Sequence, residues 1–365
     1  LATFVFGCTW TLGLSKPLSV ARSIEEAMKR GIVICDEAVF ERVRETGTVV
    51  FDKTGTLTSG EMRLLVADAP EDLLRAAAAL EQHAAHRAGE AIASAVEFGP
   101  RTDGGSDDRE PTPEERSRSV SVADVTSHAT GIAGRVNGEE ILVGNLALFA
   151  DQEWAVSDDL ESRTIEYRDN GDLPVILGRD GRAAGLVVLR DDPRPEWEET
   201  IRDLARRDIE TVVLTGDDET AATAFADHPD VDHVFAGVPP AGKTATIRRL
   251  QSRGQVTMVG DGTNDAPALA TADLGISLGG GTALASDAAD ISIVDDDLAA
   301  VGTTFDLADA ARRRVKQNNG LALLYNGVTI PLAATGLLNP VFTMGAVVAT
   351  GGLLAANSFR DLLHG

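Results

Sequence analysis

Short apolar runs that end in Asp or Gly recur along the central part of the chain. Residues 48–51, 212–214 and 256–259 are rich in β-branched and apolar side chains, and a polar loop follows each run directly. Between and after these runs, residues 194–206 and 241–252 carry apolar positions at helical spacing. Strands that alternate with helices predict an open α/β sheet, in which the loops after parallel strands meet at one edge.

A different pattern fills residues 61–181, which separate the first of these strands from the later ones. Residues 71–98 predict an alanine-rich helix, and residues 134–143 predict a hairpin that turns at Asn137-Gly138. An insertion of this length is large enough to fold as a domain of its own. Further strand signals lie at residues 173–177 and 183–189, separated by Asp180-Gly181.

The two ends of the chain are apolar. Residues 317–359 contain no charged side chain, and residues 320–338 and 341–356 are two candidate spans for a bilayer, which needs about 20 apolar residues. Basic residues just before them predict a transmembrane hairpin that begins and ends on the cytoplasmic side, with a buried helix pair as the alternative. Residues 1–15 are uncharged but too short to span, so we expect the carboxyl-terminal part of a longer membrane protein.

Composition narrows the classes of function. The chain has 365 residues with 57 acidic and 33 basic side chains, and its net charge of -24 excludes a nucleic-acid partner. Hydrophobic residues make up 43% of the chain, so it is expected to fold, and two cysteines provide no disulfide framework. Only 5 of the basic residues are lysines, and such acid-rich, lysine-poor surfaces predict a halophilic source.

The most specific chemical signal lies at the end of the first predicted strand. Asp52 is followed by a turn that contains Gly55, and a carboxylate placed there can attack phosphorus while backbone N–H groups hold the transferred oxygens. The product is an acyl phosphate. Where a phosphatase of this design needs a second carboxylate to activate water, the chain has Thr54, which is a poor general base. We therefore expect a phosphoenzyme that persists as a state of a reaction cycle.

Other loops supply the partners that this chemistry requires. Asp261 and Asp265 follow the third strand, and Mg²⁺ characteristically binds one or two carboxylates together with phosphate oxygens. Lys243 is expected to neutralise the transferring phosphoryl group, and Thr215 to donate a hydrogen bond to one of its oxygens. Mg²⁺ is therefore the implied cofactor.

Residues 237–244 also match the P-loop spacing G-x-x-x-x-G-K-[ST], which would predict a different nucleotide site. A P-loop holds phosphate with consecutive backbone N–H groups, and Pro239 and Pro240 have none. We therefore assign Lys243 to the aspartate chemistry instead.

Together these motifs resemble those of the P-type ATPases, cation pumps that pass through an aspartyl phosphate. The resemblance covers nearly the whole chain. It implies a haloacid-dehalogenase-like, Rossmann-like α/β phosphorylation domain with an inserted α+β nucleotide-binding domain, plus transmembrane helices. The matching segments are Asp52-Lys53-Thr54-Gly55-Thr56, Thr215-Gly216-Asp217, Gly260-Asp261-Gly262-Thr263-Asn264-Asp265, Pro240 with Lys243, and Asp191 with Arg194 at the hinge.

The resemblance also implies domain boundaries and roles. Residues 1–20 end a transmembrane helix, 21–60 and 183–310 form the stalk and phosphorylation domain, 61–182 bind nucleotide, and 311–365 form the transmembrane hairpin. Asp52, Thr54, Asp261 and Asp265 are the implied magnesium site. The implied catalytic residues are Asp52, Lys53, Thr54, Thr215, Gly216, Asp217, Lys243 and Asn264.

Within the family the chain is similar to the heavy-metal subgroup, whose inserted domain is small. That subgroup binds ATP through a Glu-His-Pro motif, for which this chain has Ala85-His86-Arg87. His86 is thus the retained member, although both of its neighbours differ. Gly131, Gly144 and Asn145 match other nucleotide-binding residues of the subgroup, while the usual Gly at position 129 is Ala.

The transported ion is implied less directly. The subgroup carries Cys-Pro-Cys in the helix before the phosphorylation domain, and this chain reads Cys8-Thr9-Trp10, so one thiol and the Pro are missing. Tyr325-Asn326 matches the copper-pump pattern, and Met344 is a soft ligand near the expected Met. No Asp or Lys lies in residues 317–359, which favours Cu⁺ over zinc.

The resulting expectation is ATP-driven heavy-metal transport in a multi-pass cell-membrane protein with cytoplasmic catalytic domains. Its partners are ATP, a soft ion such as Cu⁺, the lipid bilayer, and an upstream actuator domain and further helices that this chain lacks. Two alternatives stay open: a haloacid-dehalogenase-type phosphohydrolase without transport, and a nucleotide-binding pseudo-pump that senses metal.

Overall fold

A seven-stranded sheet carries Asp52, the aspartate of the predicted phosphorylation motif. The computed structural model describes residues 10–83, 89, 92, 121–128, 130–217, 220–261, 265–279, 287–335 and 340–360. The strand order is β1-β13-β12-β11-β2-β9-β10, and all pairs are parallel except β1 with β13. The strands are β1 (Ile32–Ile34), β2 (Thr46–Asp52), β9 (Glu210–Leu214), β10 (His233–Phe235), β11 (Gln255–Gly260), β12 (Leu274–Leu278) and β13 (Ile291–Ile293).

The apolar runs form the centre of this sheet because both of its faces are covered. Val49, Val50 and Phe51 on β2 are each 0% exposed, and they contribute to two separate apolar cores. Continuous rather than alternating apolar residues are typical of parallel strands buried on two faces. The covering helices include α1 (Trp10–Met28), α2 (Val39–Glu45), α6 (Trp197–Ala205), α7 (Thr223–Ala226), α8 (Pro240–Gln251) and α9 (Ala266–Leu269).

The inserted region forms a second, six-stranded antiparallel sheet in the order β3-β8-β7-β6-β5-β4. Its hairpins turn at Asn137-Gly138 and Asp180-Gly181, where all four residues have positive φ, as such turns require. The elements are β3 (Thr58–Asp68), α3 (Glu71–Glu81), β4 (Val122–His128), β5 (Gly131–Val136), β6 (Glu139–Gly144), α4 (Leu146–Asp151), α5 (Asp158–Asp169), β7 (Leu173–Arg179) and β8 (Arg182–Pro193).

The inserted sheet extends beyond the predicted boundaries at residues 61 and 182. It begins at Thr58 and ends at Pro193, because β8 pairs along its length with both β3 and β7. The strands β3 and β8 therefore also form the connection between the two sheets. The helix predicted over residues 71–98 is observed as α3 up to Glu81, and most of its remainder lies outside the described residues.

Two long helices follow the seven-stranded sheet: α10 (Ala299–Ala334) and α11 (Pro340–Ser358). Both pack on α1, and the buried Asn318 of α10 donates to Ser19 Oγ at 3.1 Å and to Ser358 Oγ at 2.8 Å. In the part of the chain that the structure describes, no helix is both long and apolar enough to cross a membrane. The predicted transmembrane hairpin is therefore not confirmed.

Candidate functional site

The site lies where the parallel strands of the first sheet end. Asp52 is the last residue of β2, which lies between β11 and β9, and its side chain is almost fully buried. The next five residues form a tight turn in which Gly55 has a φ of 79°, a conformation that favours glycine. The backbone N–H of Gly55 donates to Thr58 Oγ1 at 3.0 Å, which fixes the turn. Thr54 is half-buried within it.

Three carboxylates converge at this edge. Asp52, Asp261 and Asp265 each place an oxygen within 4.8 Å of the others, and among the described residues theirs is the one such acidic or metal-ligating group. They come from β2 and from the loop after β11, which are neighbouring parallel strands. Their spacing fits a single cation, and hard carboxylate oxygens are the ligands that Mg²⁺ prefers.

Lys243 lies between two of these carboxylates. Its Nζ donates to Asp52 Oδ1 at 2.6 Å and to Asp265 Oδ1 at 2.7 Å, and all three side chains are buried. Lys243 belongs to the first turn of α8, which begins at Pro240 with Pro239 as its N-cap residue. The P-loop spacing thus forms the start of a helix that directs its lysine to the aspartate site.

The burial of this cluster changes its acidity. Burial raises the pKa of Asp52 to about 7, the Asp265 carboxylate adds to the rise, and Lys243 opposes it. Burial lowers the pKa of Lys243, but Asp52 and Asp265 raise it further, so it lies above its ordinary value. The lysine therefore stays charged, and a bound divalent cation would favour ionised Asp52.

A second pair of charges borders the cluster. Lys53, directly after Asp52, forms an ion pair with Asp217 in the loop after β9. Thr215 is buried at the end of the same strand, and its Oγ1 accepts a hydrogen bond from the backbone N–H of Asp217 at 3.0 Å. Gly216, between them, is exposed at the edge of the sheet. The predicted phosphate loop thus lies beside the aspartate turn.

The hinge residues form hydrogen bonds to the same turn and to the residues that follow it. Asp191 accepts from Thr58 Oγ1 at 2.6 Å and from the backbone N–H of Gly60 at 2.8 Å. Arg194, which is buried, donates to the carbonyl oxygen of Gly55 at 3.1 Å and to Asp296 Oδ1 at 2.9 Å. The connection between the sheets is therefore tied directly to the aspartate turn.

The predicted nucleotide residues of the inserted sheet have close packing neighbours. Gly131 and Gly144 are paired across β5 and β6, and a Cβ on Gly131 would lie 2.1 Å from the carbonyl oxygen of Val143. Asn145 is the N-cap of α4, and its Oδ1 accepts from the backbone N–H of Leu148 at 3.0 Å. These residues shape a surface, but they carry no charge that would itself mark a ligand site.

A cleft separates the aspartate turn from the inserted sheet. Its volume is about 340 Å³, and Lys53, Thr54 and Asp217 line one wall while Asn145, Thr164 and Arg168 line the other. The size is within the range of small-molecule sites, about 300–1,000 Å³. Asn145 and Lys53, the residue after Asp52, therefore line the same cleft.

Some predicted residues do not join this arrangement. Cys8, His86 and Asn264 lie outside the described residues. Tyr325 is half-buried and Asn326 is buried on α10, whereas Met344 on α11 is 66% exposed.

Sequence reasoning missed Glu81 at the end of α3. Its side chain is buried, and burial raises its pKa to about 7. The signal was present in the sequence, because Leu73, Ala77 and Leu80 form the inward face of this helix and Glu81 continues it one turn after Ala77. A carboxylate on the buried face of a helix is a candidate functional residue.

Comparison with known proteins agrees with this arrangement. The family of haloacid dehalogenase-like hydrolases matches residues 46–273. A probable copper-exporting P-type ATPase V of Mycobacterium tuberculosis is 33% identical over 368 residues, covering 99% of this chain and 46% of that protein. A copper-exporting P-type ATPase of Mycobacterium leprae is 35% identical over 366 residues, with 99% and 44% covered.

A solved structure of a zinc-transporting PIB-type ATPase in the E2.Pi state has a TM-score of 0.73 and 28% identity, covering 98% of this chain and 57% of that one. This chain spans less than half the length of the two mycobacterial ATPases, so it resembles a portion of each of those proteins rather than the whole.

Proposed function

The chain belongs to the haloacid dehalogenase-like hydrolase family, and from this premise and its similarity to P-type ATPases we propose that it is a portion of a type IB P-type ATPase and that Asp52 is its phosphorylated residue. In the proposed reaction, a carboxylate oxygen of Asp52 forms a bond to the γ-phosphorus of ATP. The bond from that phosphorus to the β,γ-bridging oxygen breaks, and ADP leaves with that oxygen. The product is an aspartyl phosphate.

The observation that carries this proposal is the cluster of buried Asp52, Asp265 and Lys243 with the half-buried Asp261. Such a cluster is unfavourable as a structural element, because two buried carboxylates share one buried lysine and a third carboxylate lies within 4.8 Å of both. A phosphoryl-transfer site needs this arrangement: a nucleophile, ligands for a cation, and a fixed positive charge. Lys243 is placed to neutralise the oxygens of the transferring group.

The carboxylates fit Mg²⁺, and Asp52, Asp261 and Asp265 would hold it, with Thr54 contributing from the turn. When bound, the ion would supply positive charge to the phosphate oxygens. Thr215 would donate a hydrogen bond to one of those oxygens. Lys53 would hold the turn through its ion pair with Asp217. Because Thr54 is a poor general base, the phosphoenzyme waits for a water-positioning group from another part of the pump.

We place the adenine nucleotide on the inserted sheet, beside Gly131, Gly144 and Asn145, with His86 as a further contact. Close packing leaves no room for a side chain at either glycine, and the cleft extends from Asn145 to the aspartate turn. ATP bound there would direct its phosphates to Asp52. The buried Glu81 lies on α3 of the same domain.

We propose a soft heavy-metal ion as the cargo of the whole pump, with Cu⁺ favoured. The named relatives are copper-exporting, and residues 317–359 contain no Asp or Lys. Cys8, Tyr325, Asn326 and Met344 are the candidate ligands. The exposed apolar side chains of α10 and α11, among them Leu324 and Val348, are the surface through which we expect this part to join the other helices of a membrane transport domain.

The test is phosphoenzyme formation from γ-labelled ATP and Mg²⁺, followed by an acid quench. The wild type should become labelled, hydroxylamine should release the label as expected for an acyl phosphate, and Asp52→Asn should take up none. Asp151→Asn, at an exposed position in the inserted domain, is the control and should label like the wild type. Equal labelling of Asp52→Asn would refute the proposal.

The identity of the transported ion requires a second measurement, of ATP hydrolysis by the whole pump. ATP hydrolysis should rise on addition of Cu⁺ and less with Zn²⁺. Steady turnover of small phosphate esters without any such ion would favour the phosphohydrolase alternative, and nucleotide binding without hydrolysis would favour the pseudo-pump.

A further inference from the structure

The inserted-sheet wall of the cleft carries a cationic side chain, Arg168, whose Nε lies 4.0 Å from Oδ1 of the adjacent Asp169. Thr164 and Arg168 lie four residues apart on α5, so both side chains share the helix face that borders the cleft. Thr164 is buried, and its Oγ1 donates to the carbonyl oxygen of Leu160 at 2.7 Å. Among the described residues that line this wall, Arg168 is the one with a positive charge.

The end of α5 closes one side of the cleft. The chain turns at Gly171, whose φ is +81°, and a Cβ built there would lie 3.9 Å from Cα of Ala221 in the phosphorylation domain. Ala221 also lines the cleft. Arg168 therefore lies on a wall that contacts the phosphorylation domain near the loop that carries Asp217, and not on a distant surface.

The carboxylates of the cleft have partners of their own. Asp217 pairs with Lys53, and Asp172 accepts two bonds from Arg190, at 2.6 and 3.0 Å. Asp191 accepts from the hydroxyl of Thr58 and the backbone N–H of Gly60. Two of these acids are paired with cations and the third is hydrogen-bonded by neutral donors, which lowers the repulsion that the cleft would exert on a polyanion.

The positive charge of Arg168 also offsets the partial negative charge at the end of its own helix, which is unfavourable for phosphate binding. It lies in the last turn of α5, whose carboxyl-terminal end carries partial negative charge that would repel a phosphate. A guanidinium group is planar and always charged, and it can donate two parallel hydrogen bonds to phosphate oxygens. Arg168 lines the same cleft as Asn145 and Lys53, so a triphosphate that extended from the inserted sheet to the aspartate turn would pass along its wall.

We propose that Arg168 binds the phosphate chain of ATP from the inserted-sheet wall and so determines the preference of this site for nucleoside polyphosphates. The proposal rests on the assignment of ATP to the cleft. It predicts that the contribution of Arg168 grows with the number of phosphates on the nucleotide and is absent for adenosine.

The first experiment measures the ATP concentration that gives half-maximal phosphoenzyme. Arg168→Gln should raise it about tenfold, the value for loss of a charge-assisted hydrogen bond, with little change in the maximal level of label. Arg168→Lys should fall between the two. Arg163→Gln is the matched control, because Arg163 is on the same helix but donates to Asp68 at 2.7 Å, away from the cleft. It should behave like the wild type.

The second experiment compares the binding of adenosine, AMP, ADP and ATP by calorimetry. Arg168→Gln should leave adenosine affinity unchanged and weaken ADP and ATP. An equal loss for adenosine and ATP, or an unchanged half-saturating ATP concentration, would overturn the role of Arg168. If wild-type Asp52 takes up no label while calorimetry gives the predicted phosphate dependence, the proposed phosphorylation fails and the Arg168 inference stands.

Discussion

The two sheets present their candidate functional residues in opposite ways. At the edge of the parallel sheet, Asp52, Asp265 and Lys243 are charged, buried and in direct contact. On the antiparallel sheet, Gly131 and Gly144 are uncharged, and Asn145 has an ordinary role as a helix cap. The first group stands out because its charges are buried together, whereas packing alone explains the residues of the second group, so electrostatics can identify the first group but not the second.

At the parallel sheet, substitution of Asp52 should have opposite effects on catalysis and on stability. Asp52→Asn should abolish phosphoenzyme formation while stabilising the fold in metal-free buffer. The folded-state pKa of Asp52, raised to about 7 by burial and Asp265, exceeds its ordinary value of 3.8. The stability it contributes is complete below pH 3.8 and is lost as the pH rises through 7.

The increase in the free energy of unfolding caused by Asp52→Asn should therefore be about 3 kcal/mol larger at pH 8 than at pH 5. Urea denaturation of both proteins at the two pH values measures this difference. An increase that does not depend on pH would show that Asp52 is not held in the strained, ionised form that the cluster implies.

Lys243→Met should destabilise the protein by about 3–5 kcal/mol, because it leaves Asp52 and Asp265 buried without their shared cation. Phosphoenzyme formation should also be lost. Lys29→Met is the control, since Lys29 pairs with Glu25 at 2.8 Å on an exposed helix surface and should contribute little. Similar unfolding midpoints for the two variants would contradict the view that the cluster depends on its lysine.

On the antiparallel sheet, Gly131→Ala should lower the free energy of unfolding by about 2 kcal/mol, because the new Cβ would lie 2.1 Å from the backbone oxygen of Val143. Nucleotide binding should weaken at the same time. Gly47→Ala is the control, since its nearest neighbour would lie at 3.9 Å. Calorimetric titration with ATP and thermal unfolding measure the two effects.

Removal of two helix N-caps in the inserted domain should have similar effects on stability but different effects on ATP binding. Asn145→Ala and Ser157→Ala each remove a helix N-cap, and each should cost about 1 kcal/mol. Only Asn145 lines the cleft, so only Asn145→Ala should also raise the half-saturating ATP concentration. If both variants changed ATP affinity equally, Asn145 would have a purely structural role.

The catalytic strands could be predicted because their residues are apolar on both faces, as in β2, β9 and β11. The three-residue strands β1, β10 and β13 could not, because so few residues carry no periodic signal. The extent of the inserted domain was also missed, since β8 is assigned by its pairing with β3, whose residues lie more than 100 positions earlier. Pairing between segments that are far apart in the sequence produces no pattern within either segment by itself.

The order of the motifs along the chain was enough to predict a nucleophilic aspartate, a phosphate loop and a magnesium loop, because each motif is local and its expected chemistry follows from its residue types. Folding alone decided that Lys243 bridges two of the carboxylates, that Arg194 holds the carbonyl of Gly55, and that Arg168 faces the same cleft as Lys53. Distances between side chains depend on strand order and helix placement, which act across the whole sheet and are not written in any single segment.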